Sequence, residues 1–137
     1  MSLYVQTNQI VFIPNIPNYA VNSADTGKTM ITPQTQAATD VAIALPALQE
    51  GLHYRFINGA AAALSGTVAI SATGAIIYGN AVMGPNGGVA LLEINGATTI
   101  NFLTAASVRG DTIDLYCDGT NWYVQASSRI AGSITAA

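Results

Sequence analysis

Six short segments of this chain alternate apolar and polar side chains with a period of two, and that alternation limits the fold more than any other feature. Asp40 to Leu45 puts Val41, Ile43 and Leu45 on one side and small alanines on the other. In His53 to Asn58, Tyr54 and Phe56 oppose His53, Arg55 and Ile57. In Gly66 to Ala72, Val68 and Ile70 oppose Thr67, Ala69 and Ser71. Thr98 to Leu103 sets Ile100 against Thr99 and Asn101 before reaching Phe102. Asp111 to Cys117 sets Ile113, Leu115 and Cys117 against Thr112, Asp114 and Tyr116. Asn121 to Gln125 opposes Trp122 and Val124 to Tyr123 and Gln125. Successive side chains of a strand point to opposite faces, so each segment reads as a half-buried strand.

The punctuation between the segments agrees. Asn58-Gly59, Asn86-Gly87, Asn95-Gly96 and Asp118-Gly119 tolerate the positive φ that tight hairpin turns require, and Gly84 to Gly88 reads as a longer turn. Strands of about five residues at spacings near 8–12 indicate a sandwich or barrel and not βαβ units. Helix is confined to single turns, at 46–51 and 60–64, too short to stand alone. The expected fold is all-β: a β-sandwich, jelly-roll-like, of short antiparallel strands. The sequence Ile57-Asn58-Gly59-Ala60 recurs as Ile94-Asn95-Gly96-Ala97, a four-residue match in turn chemistry that chance supplies easily.

The first third of the chain differs. Gln9 to Asn18 contains a tandem Ile-Pro-Asn in which Pro14 and Pro17 fix φ and push Ile13 and Ile16 toward extended geometry. Proline does not belong in a central strand, so residues 1–27 are expected to form an extended arm over the molecule's own surface or a neighbour's. Residues 18–40 are polar and Thr-rich and read as loop with at most a short strand. The β-sandwich body is expected over 28–128, with a C-terminal strand or tail over 129–137.

Composition bears on what surrounds the molecule. Of 137 residues, 8% are charged and 50% hydrophobic, many of them alanine, whereas about a quarter of an average soluble domain is charged. Disordered chains are charged and poor in apolar residues, so this is a folded protein. With so little charge to keep copies apart, much of its surface is expected to be covered by other subunits. Net charge is −3, and Lys28, Arg55, Arg109 and Arg129 are scattered, so no basic cluster exists to neutralise phosphates and direct nucleic-acid binding is not expected. Met1 to Gln6 lacks the charged and apolar regions of a signal peptide. Residues 56–92 carry no formal charge, but Gly, Asn, Ser, Thr and Pro interrupt them before any run of about 18 apolar residues, so no membrane association is expected.

Catalytic chemistry finds little to work with. His53 is the single histidine, so any nucleophilic triad must use it, and it reads as a surface or interface residue. Cys117 is the single cysteine; it makes no intrachain disulfide and reads as a small buried hydrophobe. Gly27-Lys28-Thr29 lacks the upstream glycine of a phosphate-binding loop, the residue there being Asn22. Asp111, Asp114 and Asp118 lie close in sequence, and paired carboxylates serve glycoside cleavage or calcium binding. Asp111 and Asp118, however, occupy turn positions where aspartate caps its own backbone, and Asp114 belongs to a strand's polar face. No catalytic, cofactor-binding or metal-ligating residue is therefore assigned, and an enzyme is not expected. Trp122 is expected in the core; Tyr123, facing the other way, is left open.

One resemblance accompanies this reading. Gly110 to Val124, with its strand–Asp118-Gly119-Thr120-Asn121-Trp122–strand hairpin, resembles the ending of β modules in phage tail fibres and viral capsid-associated proteins. Leu45-Pro46-Ala47 followed by Gly51 to Asn58 resembles the Leu-Pro, Gly, aromatic, Ile-Asn element of the same modules. Together these cover about residues 40–126. The resemblance implies a module of the virion surface, commonly trimeric. Fibres carry shaft repeats and this sequence has none, so the expectation is a capsid, minor capsid or decoration subunit that assembles through its β body and N-terminal arm. The implied partners are copies of itself and other capsid or tail proteins. The alternative is a receptor- or carbohydrate-binding tip module of a tail fibre or spike, with a host-surface glycan as partner.

Overall fold

A computed structural model describes residues 9–33, 40–62, 64–74 and 76–137. Among these residues it is all-β: twelve strands in two sheets, and a single 3-10 turn at Ser23–Asp25. The strands are β1 (Ile10–Phe12), β2 (Asn18–Ala20), β3 (Thr29–Ile31), β4 (Val41–Ala44), β5 (His53–Ile57) and β6 (Val68–Ser71). They continue with β7 (Ile77–Asn86), β8 (Ala90–Ala97), β9 (Thr99–Phe102), β10 (Thr112–Cys117), β11 (Trp122–Ile130) and β12 (Ile134–Ala136). One sheet has the order β1-β3-β5-β10-β11-β7-β8 and the other β12-β9-β6-β4-β2.

The β-sandwich stands as expected from the sequence, but its strands are not uniformly antiparallel. From β1 to β6 the chain alternates between the sheets. β1, β3 and β5 run parallel in one, and β2, β4 and β6 run parallel in the other. The first half is thus wound as a coil through two layers, a route in which each connection crosses between sheets. The second half is built from hairpins, β7–β8 and β10–β11, and β11 closes the structure by lying parallel to β7 over eight registered pairs. These parallel pairs depart from a jelly roll of antiparallel strands.

The layers meet over a continuous apolar core. Its largest fully buried side chains include Trp122, Tyr54, Phe56, Phe102, Met30 and Ile43. Alternation assigns the faces correctly: β4, β10 and β11 bury Val41 and Ile43, Ile113 with Leu115 and Cys117, and Trp122 with Val124. The Trp122 ring packs 6.2 Å from that of Tyr54 between the layers.

The described part of the expected arm is folded into the body. β1 and β2 are edge strands, one in each sheet, and Ile13 and Val21 are buried. Pro14 and Pro17 sit between these strands, where the missing N–H costs no ladder bond. Residues 1–8 of that segment, and 34–39 of the expected loop, lie outside the described residues. At the other end β12 pairs with β9, so residues 134–136 form a strand.

Two of the four turn dipeptides form hairpin turns. Asn86-Gly87 leads from β7 to β8, and Asp118-Gly119 joins β10 to β11. Asn95-Gly96 instead lies inside β8. Ile77 pairs with Ala97 and Tyr78 with Asn95, so Gly96, at φ +80°, is the extra residue of a β-bulge. Asn58-Gly59 follows β5 where the chain crosses to the other sheet. There Asn58 is fully buried and donates to Ser107 Oγ (2.8 Å). The two Ile-Asn-Gly-Ala copies therefore occupy unrelated environments.

Candidate functional site

The outer face of the seven-stranded sheet brings together side chains that are far apart in sequence. Register fixes three rows across it. The first is His53, Tyr116, Tyr123, Tyr78 and Asn95, one each from β5, β10, β11, β7 and β8. The second is Arg55, Asp114, Gln125, Asn80 and Glu93. The third runs from Phe12, Ile31 and Ile57 through Thr112 and Ser127 to Val82 and Leu91. The face thus carries a row of rings, then a row of hydrogen-bonding groups, then a row apolar at both ends.

The rings are held by their neighbours. His53 and Tyr116 stack with centroids 4.4 Å apart and planes within 4°. Tyr123 donates its hydroxyl to Asp118 Oδ2 (2.9 Å). Asp118 Oδ1 in turn accepts the backbone N–H groups of Thr120 (2.8 Å) and Asn121 (2.7 Å). These bonds, those from Asn121 and Thr120 foremost, hold the Asp118 carboxyl below the usual carboxylate range, and its bond to Tyr123 pushes that phenol up. Gln125 and Asn80 lie beside each other across β11 and β7. Arg55 donates to both carboxylate oxygens of Asp114, from Nε at 2.7 Å and from a terminal nitrogen at 3.1 Å. That bidentate pair raises the Arg55 pKa further and neutralises the one cation of the row.

Between Tyr78, Tyr116 and Tyr123 lies a groove of about 490 Å³, bounded by Asn80 and Gln125. Gly79 and Val124 also line it. A Cβ on Gly79, whose φ is +148°, would stand 2.0 Å from the Val124 carbonyl oxygen, so β7 approaches β11 there as only glycine permits. A second hollow of about 330 Å³ shares Asn80 and Gln125 and extends toward Thr112 and Ser127.

The three aspartates do three separate things. Asp111 is buried, and its Oδ2 accepts from Ser107 Oγ (2.7 Å) and from the Val108 N–H (2.9 Å). Asp114 is on the outer face against Arg55, and Asp118 organises the β10–β11 turn. They form no acid–base pair. Among the described residues no group of three His, Cys, Asp or Glu side chains is placed to hold a metal ion. Lys28 pairs with Asp25 (2.8 Å) and not with a phosphate-binding loop. Cys117 is buried and free of any disulfide, and Trp122 is in the core, as alternation requires. Tyr123, left open by the sequence, is on the outer face at 43% exposure, near the 41% of Tyr116.

Tyr78, Tyr116 and Gln125 were not singled out from sequence. Tyr116 and Gln125 sit on recognisably polar faces, but only strand order and register bring them beside β7. No protein-family model matches the chain, and no curated protein is significantly similar to it. Chemically, the face sets out ring surfaces, amides and a neutral ion pair in fixed positions.

Proposed function

We propose that this protein is a non-catalytic structural subunit of a virus particle, a capsid, minor capsid or decoration component, that assembles with copies of itself. The observation that carries the reading is the edge strand β8. It is eight residues long, has no strand partner on its outer side among the described residues, and presents Leu91 at 77% exposure beside Val82, with Val89 at 77% in the preceding turn. Long apolar edges are templates for pairing with another chain, and proteins that stay single blunt them with charge or proline. Glu93 is the one charge on β8.

The opposite edge of the same sheet, β1, exposes Ile10 and Phe12. A head-to-tail contact between the β8 edge of one copy and the β1 edge of the next closes into a ring if the rotation permits, and a trimer is the ring implied by the hairpin's resemblance to virion modules. The low charge of the whole chain supports the same reading.

Size-exclusion chromatography with light scattering tests it. A defined oligomer is expected, and the double substitution V89K/L91K is expected to release monomers that unfold at the original temperature. A wild-type chain that stays monomeric at high concentration overturns the reading. A second reading, a receptor- or glycan-binding tip module, is favoured by the row of rings on the outer face.

A further inference from the structure

We infer that the groove between Tyr78, Tyr116 and Tyr123 is a binding site for a neutral oligosaccharide, an inference that rests on the tip-module reading and not on self-assembly. A sugar ring presents apolar C–H faces and a belt of hydroxyls, and it is matched by aromatic surface flanked by planar hydrogen-bonding groups. Both are present here in adjacent registers. The rings of β5, β10, β11 and β7 span three interstrand steps of about 4.8 Å, which is longer than one sugar and suits a short chain of them. Asn80 and Gln125, one register along, supply donors and acceptors in the same groove.

Charge selects among ligands. Arg55 is already engaged on both carboxylate oxygens of Asp114, and Glu93 lies in the same row, so the row beside the groove offers no free cation for a phosphate, sulfate or sialic acid, while Arg129, exposed farther along β11, donates to the Arg109 carbonyl. Nucleic acid is disfavoured for the same reason, although its bases stack on aromatics. Rigidity favours binding. Tyr123 is tied to Asp118, and one face of Tyr116 is covered by His53, so little side-chain freedom is lost on association.

The test is a glycan array carrying neutral, sialylated and sulfated oligosaccharides, followed by nuclear magnetic resonance titration of the full chain with the neutral glycans that bind. Saturable binding of a neutral glycan is expected, with shifts centred on Tyr78, Tyr116, Tyr123, Asn80 and Gln125. Tyr116→Ala and Gln125→Ala are each expected to weaken it at least tenfold with the fold intact. V89K/L91K, which addresses self-assembly, is expected to leave the affinity per chain unchanged. Binding confined to anionic glycans, binding that survives Tyr116→Ala, or no saturation by any neutral glycan overturns the inference. So does binding of a proline-rich peptide in the groove in place of a glycan, since aromatic grooves also take such peptides. If V89K/L91K abolishes glycan binding along with assembly, the site as placed within one chain is wrong.

Discussion

Trp122 and Tyr123 show how much one residue of register decides. They are neighbours in β11, yet Trp122 is 1% exposed against Tyr54 and Tyr123 stands on the opposite face. Trp122→Ala is expected to cost about 3–5 kcal/mol, measured by denaturant unfolding, because it opens a cavity between two sheets that cannot close on it. Asp118 makes a different kind of contribution. Its folded pKa is depressed, so what it adds to stability is fully present above the ordinary aspartate value and is lost as pH falls through the lower folded value. Acid titration followed by carboxyl carbon resonances should show Asp118 protonating below the free-residue range, and Tyr123→Phe should move it back up. A titration at the ordinary value would mean the turn is not held by that carboxylate. The buried Asn58–Ser107–Asp111 chain of hydrogen bonds was not visible beforehand. Asn58 read as a turn residue, and only the approach of the 107–111 loop to the end of β5 makes it a buried donor.

At the scale of elements, what the sequence made legible was each strand's inward face. Val41 and Ile43, Tyr54 and Phe56, Ile113 and Leu115 are all buried where a period of two put them, because that alternation is a local property of the chain. Two things were not local. β7 lies in the uncharged stretch, where Gly79, Gly84 and Pro85 interrupt alternation, and Gly84 to Gly88 read as turn although β7 extends to Asn86. The parallel winding of β1 to β6 also left no mark, since its coils differ in length and share no repeating motif. The candidate groove was hidden for the same reason: its rings come from three strands, and no one of them announces the others. The N-terminal segment gives a test at this scale. Deleting residues 1–21 removes β1, β2 and the buried Ile13 and Val21, and at about 1.5–3 kcal/mol for each buried aliphatic side chain the body should lose about 3–6 kcal/mol in thermal unfolding. A body of unchanged stability, with only its assembly impaired, would restore the view of this segment as a detachable arm.

For the whole molecule, the shortage of ionic groups sets how any assembly responds to its medium. Val89, Leu91, Ile10 and Phe12 are exposed and apolar, so in the proposed assembly oligomer dissociation is expected to change little between low and high sodium chloride and to be suppressed by sulfate, which strengthens apolar burial. Light scattering across a salt series checks this, and dissociation on adding sodium chloride would point to ion pairs instead. The position of β10 and β11 has a further consequence. Their hairpin is inserted between β5, the last wound strand of this sheet, and β7, so the wide sheet is two separate pieces until β10 and β11 are in place. A polypeptide cut short before that hairpin lacks the seam joining its halves, and it also lacks two of the four rings in the outer row. The outer row of rings is therefore assembled only when β10 and β11 have taken their places between β5 and β7.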